Sequence, residues 1–440
     1  MKDVLLVNPP MWSPSAQAAF NGLCPPLGLG YLAASLLEAG ATVEIVDLAV
    51  APEPRAALAR ALERTRPRLV GITSISQNYD LALEAARAAR ALAPEALVVM
   101  GGPHASYCWR EVLSNREVDV VVCFEGERTI VELLRAVDAG RRGAAAALAE
   151  TAGIAWRDGE AAVQTPARPP ETDLDRLPHP ARHLLPMARY GRPGNIMTSR
   201  GCPMKCIFCI SSTYEGNYRP RGAEDVLAEL EELRFVWGLR DLYFIDNVFT
   251  VDADRVRAIC RGIVEAELEI RFDCVSRANL VTEELVGWLR AAGCQRVEIG
   301  VESGSQEVIE QLRKGITLDQ VRRAAEITLG QGLTPMFTFQ VGAPFDTPET
   351  LEATHRLAAE LRAKGAVTFF SIMTPFPGTP LALEAEALGV RIHARAWRDY
   401  RTSNPISETR CLSRNDLRRA LYRETLAQLQ EGIAPGMGLS

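Results

Sequence analysis

Residues 202–209 read Cys202-Pro203-Met204-Lys205-Cys206-Ile207-Phe208-Cys209, three thiols at C-x3-C-x2-C spacing. The spacing lets three thiolates converge on one inorganic object while the loop around them stays irregular. A zinc site normally wants a fourth Cys or His at matching spacing, and none follows closely. Three ligands suit a four-iron cluster with one iron left open to a further ligand.

The remaining composition bounds what can surround this loop. At 440 residues the chain exceeds one ordinary domain, so two or three are expected. Hydrophobic residues are 47% and charged residues 24%, as in a soluble globular protein. A net charge of -6 leaves no electrostatic footprint for nucleic acid. No apolar run approaches a membrane span, and Met1-Lys2-Asp3 leads into Val4-Leu5-Leu6-Val7 without a signal-peptide pattern. A cytoplasmic location without a membrane partner is expected, so the ten cysteines read as reduced thiols rather than a disulfide framework.

Over residues 1–150, short apolar runs alternate with helical patterns. Val4–Val7, Val43–Val46, Leu69–Ile72, Leu97–Met100 and Val118–Val122 read as five strands, with helices such as Leu27–Ala39 and Tyr79–Ala93 between them. That alternation predicts a five-stranded parallel, Rossmann-like α/β sheet with helices on both faces. Ligands of such sheets bind at the carboxyl ends of the strands. The residues there are Asn8-Pro9-Pro10, Ser74-Ile75-Ser76-Gln77, Gly101-Gly102-Pro103-His104 and Glu125-Gly126-Glu127. Asn8, Ser74, Gly101, Gly102, His104 and Glu125 are thus candidate cofactor contacts, with a backbone-bonded turn residue as the equal alternative for His104. Gly28-Leu29-Gly30-Tyr31-Leu32-Ala33 matches G-x-G-x-x-A, but a proline-bearing segment separates it from the first strand. Its glycines are better read as opening a helix and easing its packing.

Residues 151–190 read as a small hairpin around Asp158-Gly159, then an extended connector rich in proline. Over residues 191–385, six further strand-helix units follow, too few for a full eight-unit barrel, and predict a partial (β/α)6 barrel. The cysteine loop follows the first of these strands. Asp246 ends the second strand, and Glu302-Ser303 end the fourth inside Gly300-Val301-Glu302-Ser303-Gly304-Ser305. Carboxylates there can hold ligand hydroxyls or amines, or can cap and brace loops. Thr347, before Pro348, reads as a helix N-cap. Residues 386–440 form a short helical tail, in which Arg391, Arg395, Trp397 and Tyr400 either cover a substrate or close the barrel's open side.

The cysteine motif, Asn8-Pro9-Pro10, Pro26–Leu32, Gly101–His104, Gly126-Glu127 and the Glu302-Ser303-Gly304-Ser305 stretch with Lys314-Gly315-Ile316-Thr317 together resemble one family. It is the cobalamin-binding-domain subgroup of the radical SAM superfamily, and the resemblance covers nearly the whole chain. It implies that Cys202, Cys206 and Cys209 hold a [4Fe-4S] cluster whose open iron is chelated by S-adenosylmethionine. Reductive cleavage then gives a 5′-deoxyadenosyl radical, after reduction by a flavodoxin- or ferredoxin-type electron donor. It implies further that Phe208 packs near the adenine, that Asp246, Glu302 and Ser303 lie at the SAM site, and that the first domain holds cobalamin. One departure is that the cobalt-ligating D-x-H-x-x-G motif of other cobalamin proteins is absent. The implied reaction on a small-molecule substrate is cobalamin-dependent C-methylation. The alternative is radical dehydration, epimerisation or cyclisation, aminosugar diol dehydration being one case, without methyl transfer. Tyr214 and Tyr218, just past the cysteine loop, are then candidate proton or hydrogen donors, or else loop-packing residues. A pure electron carrier has no need of Glu302 or an open iron.

Overall fold

The computed structural model describes residues 2–11, 23–138 and 145–430. The chain divides into two compact units, Met1–Gly191 and Arg192–Ser440.

In the first unit the strands are β1 (Val4–Asn8), β2 (Val43–Asp47), β3 (Leu69–Thr73), β4 (Leu97–Gly101), β5 (Val120–Val122), β6 (Ile154–Asp158) and β7 (Ala161–Gln164). Their order is β2-β1-β3-β4-β5-β6-β7. The first five run parallel. Val4 to Val7 are wholly buried, because helices cover both faces of a parallel sheet. At the edge, β2 alternates, burying Val43, Ile45 and Asp47. The sheet is larger than the five strands expected: the hairpin β6-β7 pairs antiparallel with β5. It covers backbone groups that an edge at β5 would leave unpaired. The proline-rich connector also belongs to this unit. Gly30 is where helix Leu27–Glu38 meets it, since a Cβ there would lie 2.9 Å from the Cβ of Pro180.

In the second unit six parallel strands form β8 (Asn195–Ile196), β9 (Asp241–Phe244), β10 (Arg271–Ser276), β11 (Cys294–Glu302), β12 (Thr334–Val341) and β13 (Val367–Ile372). They lie in sequence order, so each crossover returns its strand beside the last, as in an open (β/α)6 barrel. Val297, Ile299 and Val301 join the core shared with the helices. By the two-residue period of a strand, Arg296, Glu298, Gly300 and Glu302 therefore face the opposite, inner side. Helix starts are set by local chemistry. Thr347 accepts the Thr350 N–H at 3.3 Å, and Thr350 Oγ1 accepts the Thr347 N–H at 2.9 Å. The tail helix Arg414–Gln430 docks through buried charge, Glu424 meeting His355 Nδ1 at 2.5 Å and Arg362 at 2.8 Å.

Near the amino-terminal ends of β9–β11, the inner face carries a polar group of side chains. Asp273 accepts from Arg192 at 2.9 Å and from Arg296 at 2.5 Å. Tyr243 Oη donates to Glu298 Oε2 at 3.4 Å, while Glu298 Oε1 has no hydrogen-bond donor among the described residues. Burial pushes the Glu298 carboxyl up to about 7, against the pull of Arg296. The folded state therefore holds a proton that the unfolded chain releases near pH 4.5. By linkage this contribution is complete below that value and is lost as pH rises through about 7. Glu298→Gln is expected to flatten the fall in stability over that window by about 1–3 kcal/mol relative to the parent, read by denaturant melts at stepped pH.

Candidate active site

The cysteine loop leaves the short strand Ser199–Arg200, which pairs antiparallel with Arg219–Pro220. Gly201 makes the turn with φ +77°, and a Cβ there would collide with the Asn217 carbonyl. Cys202 and Cys206 are buried and Cys209 is half-buried. Thiolates are the ligands that iron-sulfur clusters take. Burial pushes the Cys202 and Cys206 thiols up, and the positive charges of Arg277 and Lys314 pull them back. Both cations are themselves buried. The donor set and its charge balance thus fit an anionic cluster.

Around this loop lie the carboxyl ends of the neighbouring strands. Glu302 is buried with φ +73°, a left-handed conformation that costs a non-glycine residue of order 1–3 kcal/mol. Its Oε1 accepts from Lys314 Nζ at 2.6 Å and its Oε2 from Gln340 Nε2 at 2.9 Å. Gly300 makes room for this pair, since a Cβ there would lie 2.6 Å from Nζ and 2.7 Å from Oε1. Lys314 Nζ also lies 5.8 Å from the centre of the Phe208 ring, joining the aromatic to the same charge.

Other residues singled out in the sequence are engaged in bracing. Asp246 is buried and accepts from the Thr198 N–H at 3.2 Å, from Thr198 Oγ1 at 3.0 Å and from the Ser199 hydroxyl. Burial raises its carboxyl, and those donors oppose the rise. Ser303 Oγ lies 3.3 Å from Thr354 Oγ1 and accepts the Ser305 N–H at 3.2 Å. Tyr218 has its hydroxyl buried, with Arg255 and Asp246 close enough to act on its ionisation. Tyr214 ends the short helix Ser211–Tyr214. In the tail, the Tyr400 ring lies 4.8 Å from that of Trp397 and 6.2 Å from that of Phe376, which follows β13. The Ile372 N–H donates to the Thr402 carbonyl at 2.6 Å, so this segment meets the carboxyl end of β13.

In the first unit, the ends of β3 and β4 are stitched together. The Ser74 N–H donates to the Gly101 carbonyl at 2.8 Å, and the His104 N–H donates to Ser74 O at 3.2 Å. Gly102 has φ +92°, and a Cβ there would lie 2.6 Å from Ser74 O. His104 is buried, with its Nδ1 3.3 Å from Ser76 Oγ and its ring 4.3 Å from that of Tyr79. Burial holds the imidazole down at about 4, so it is neutral near pH 7. Asn8 donates to Asp47 at 2.8 Å, and Asp47 also accepts from Tyr190 Oη at 2.7 Å. Glu125 accepts the Glu171 N–H of the connector at 2.9 Å. Ser74, Gly101, Gly102 and His104 therefore meet at the carboxyl ends of β3 and β4. Asn8 and Glu125 are engaged with Asp47 and the connector.

Comparison with known proteins bears on this geometry. Residues 16–134 match the B12 binding domain family, and residues 196–358 match the radical SAM superfamily. An uncharacterized methyltransferase of Pyrococcus horikoshii is 33% identical over 428 residues, covering 96% of this chain and 91% of the relative. The chain belongs to the B12-binding radical SAM enzymes. An anaerobic magnesium-protoporphyrin IX monomethyl ester cyclase of Cereibacter sphaeroides is 28% identical, covering 94% of this chain and 68% of the relative. The fold matches that of the radical SAM methyltransferase TsrM from Kitasatospora setae, solved with cobalamin and a [4Fe-4S] cluster. The TM-score is 0.76 at 23% identity, with 95% of this chain and 85% of that one covered. As a member of this family the enzyme uses S-adenosylmethionine, a [4Fe-4S] cluster and cobalamin.

Three residues of the radical SAM unit were missed as site residues in the sequence. Lys314 stands 12 residues beyond Glu302, Gln340 lies within β12 and Arg277 follows β10. The alternation of Glu298, Gly300 and Glu302 along β11 signals an inner face whose charges need partners from elsewhere. Two variants test the site. Lys314→Met strands the Glu302 carboxylate and is expected to cost about 3 kcal/mol of stability, read by denaturant melts. It should also weaken S-adenosylmethionine binding about tenfold or more by calorimetry on the reconstituted enzyme. Gly102→Ala pushes the ends of β3 and β4 apart, and is expected to reduce hydroxocobalamin uptake at least tenfold by absorbance after gel filtration.

Proposed function

We propose that the enzyme is a cobalamin-dependent radical SAM C-methyltransferase acting on an unactivated carbon of a small molecule. The observation that carries this reading is the near full-length similarity to a methyltransferase in a chain with both a B12 binding and a radical SAM unit. When bound, the cluster supplies one electron to S-adenosylmethionine, and cobalamin supplies the methyl group.

The chain's own residues prepare the site for that chemistry. Cys202, Cys206 and Cys209 hold the cluster, while Lys314 and Arg277 offset its negative charge. Glu302, fixed by Lys314 and Gln340, offers carboxylate lone pairs to a ribose diol. Phe208 packs against a small apolar group that includes Ile207, Leu312 and Met373, keeping water from one side of the loop. Ser74, Gly101, Gly102 and His104 offer a close backbone approach to a large flat cofactor. A flavodoxin- or ferredoxin-type donor delivers the electron in this reading.

The test needs no knowledge of the substrate. Anaerobically reconstituted enzyme is loaded with hydroxocobalamin, reduced, and given S-adenosylmethionine carrying a deuterated methyl group. The expected outcome is a labelled methyl on protein-bound cobalamin, with S-adenosylhomocysteine released in equal amount. Failure to take up cobalamin, or uptake without label transfer, would sink the methyltransferase reading and favour an outcome such as cyclisation.

A further inference from the structure

A chain of side-chain hydrogen bonds ties the cysteine loop to the end of β9, and its polarity can be read from its far end. Glu215 Oε2 accepts the Gly201 N–H at 2.8 Å and Asn247 Nδ2 at 2.6 Å. A carboxylate only accepts, so it is the amide nitrogen of Asn247 that must face Glu215. The same nitrogen reaches the Gly201 carbonyl at 3.4 Å. The Asn247 carbonyl oxygen is thereby turned the other way, 2.6 Å from Ser211 Oγ. It too only accepts, so it takes the Ser211 hydroxyl proton. Ser211 Oγ then faces Cys209 Sγ, 3.3 Å away, with lone pairs and no hydrogen. In the free thiol the Cys209 S–H fills that gap, but this proton is gone once the sulfur binds iron. What Ser211 still offers the sulfur is its backbone N–H, 3.5 Å from Sγ.

Taking Cys209 as a cluster ligand, as the radical SAM assignment has it, we infer that Glu215, Asn247 and Ser211 are positioning residues that withhold a hydroxyl hydrogen bond from its sulfur. Hydrogen bonds to cluster sulfurs are among the features that set the reduction potential. A donor there stabilises the more negative, reduced cluster and raises the potential. A serine two residues past a ligand cysteine is well placed to supply such a donor. Here the amide of Asn247, oriented by Glu215, draws the hydroxyl proton away. The cluster is held at a lower potential, which favours giving an electron to a sulfonium that is hard to reduce.

Two measurements test this, neither of them turnover. The first compares the parent with Ser211→Ala, each reconstituted, reduced and exchanged into deuterium oxide, by deuteron ENDOR. The same set of exchangeable deuterons beside the cluster is expected in both. Loss of a strongly coupled deuteron in Ser211→Ala would overturn the proposal, since it would show the hydroxyl already bonded to sulfur. The second is a redox titration followed by EPR. Asn247→Leu frees the Ser211 hydroxyl to turn to the sulfur, and should shift the reduction equilibrium about tenfold toward the reduced cluster, about 59 mV for one electron. Adding Ser211→Ala to that variant should return the potential toward the parent value. An Asn247→Leu cluster at the parent potential, or a shift that Ser211→Ala leaves in place, would refute the relay. Should Asn247→Leu take up less iron and sulfide than the parent, the ENDOR comparison decides alone. A parent protein that takes up no cluster would refute the cluster assignment together with the relay, whereas a loaded parent with failed arms refutes the relay alone.

Discussion

A carboxylate on the inner face of a barrel strand is stable only if a partner of opposite charge or a donor reaches it there. Glu302 meets that condition through Lys314 at 2.6 Å and Gln340 at 2.9 Å. Much of the second unit follows from it. Gly300 lacks a side chain because the ammonium fills that space, and Glu302 accepts a left-handed backbone at the end of β11. The parallel register of β11 with β12 brings Gln340 alongside. Removing one partner of such a buried pair costs more than the pair itself contributes, so these positions stand or fall together.

The same economy of buried charge organises the cysteine loop. The Cys202 and Cys206 thiols, raised by burial, sit against two buried cations, Arg277 and Lys314, and Lys314 serves both the loop and Glu302. Asp246 serves the loop differently, collecting donors from Thr198 and Ser199 and so fixing the chain just before the first cysteine. Of the two strand-end carboxylates, Glu302 is thus fixed by side chains from elsewhere in the unit, while Asp246 braces the backbone leading into the loop. Rigid support matters because a loop of irregular backbone has no hydrogen-bond ladder of its own.

The first unit shows how much of a parallel sheet is legible from local pattern. Its strand runs, such as Val4–Val7 and Leu97–Met100, lie where their apolar composition put them, because strands covered on both faces must be apolar throughout. The Asp158-Gly159 turn announced its hairpin, but nothing local announced that the hairpin would extend the sheet. That depends on β5 having a free edge, a property of the assembled sheet. Likewise Gly30 read as a helix glycine, and only the folded chain shows Pro180 against it.

The sequence by itself determined the two-part α/β architecture, the thiol loop after the first barrel strand, and the glycine turns at the strand ends. Each of these is written in contiguous residues, through apolar period, cysteine spacing or the tolerance of glycine for positive φ. The tertiary structure alone decided which polar residues meet. Lys314 and Glu302, Asn247 and Ser211, and Tyr190 and Asp47 are separated by 12, 36 and 143 residues respectively. A hydrogen bond between such groups depends on distance and direction in space, to which neighbouring residues in the chain contribute almost nothing. The direction of the Ser211 hydroxyl is the sharpest case. It is set by Glu215 through an intervening amide, and no residue pattern around Cys209 contains it.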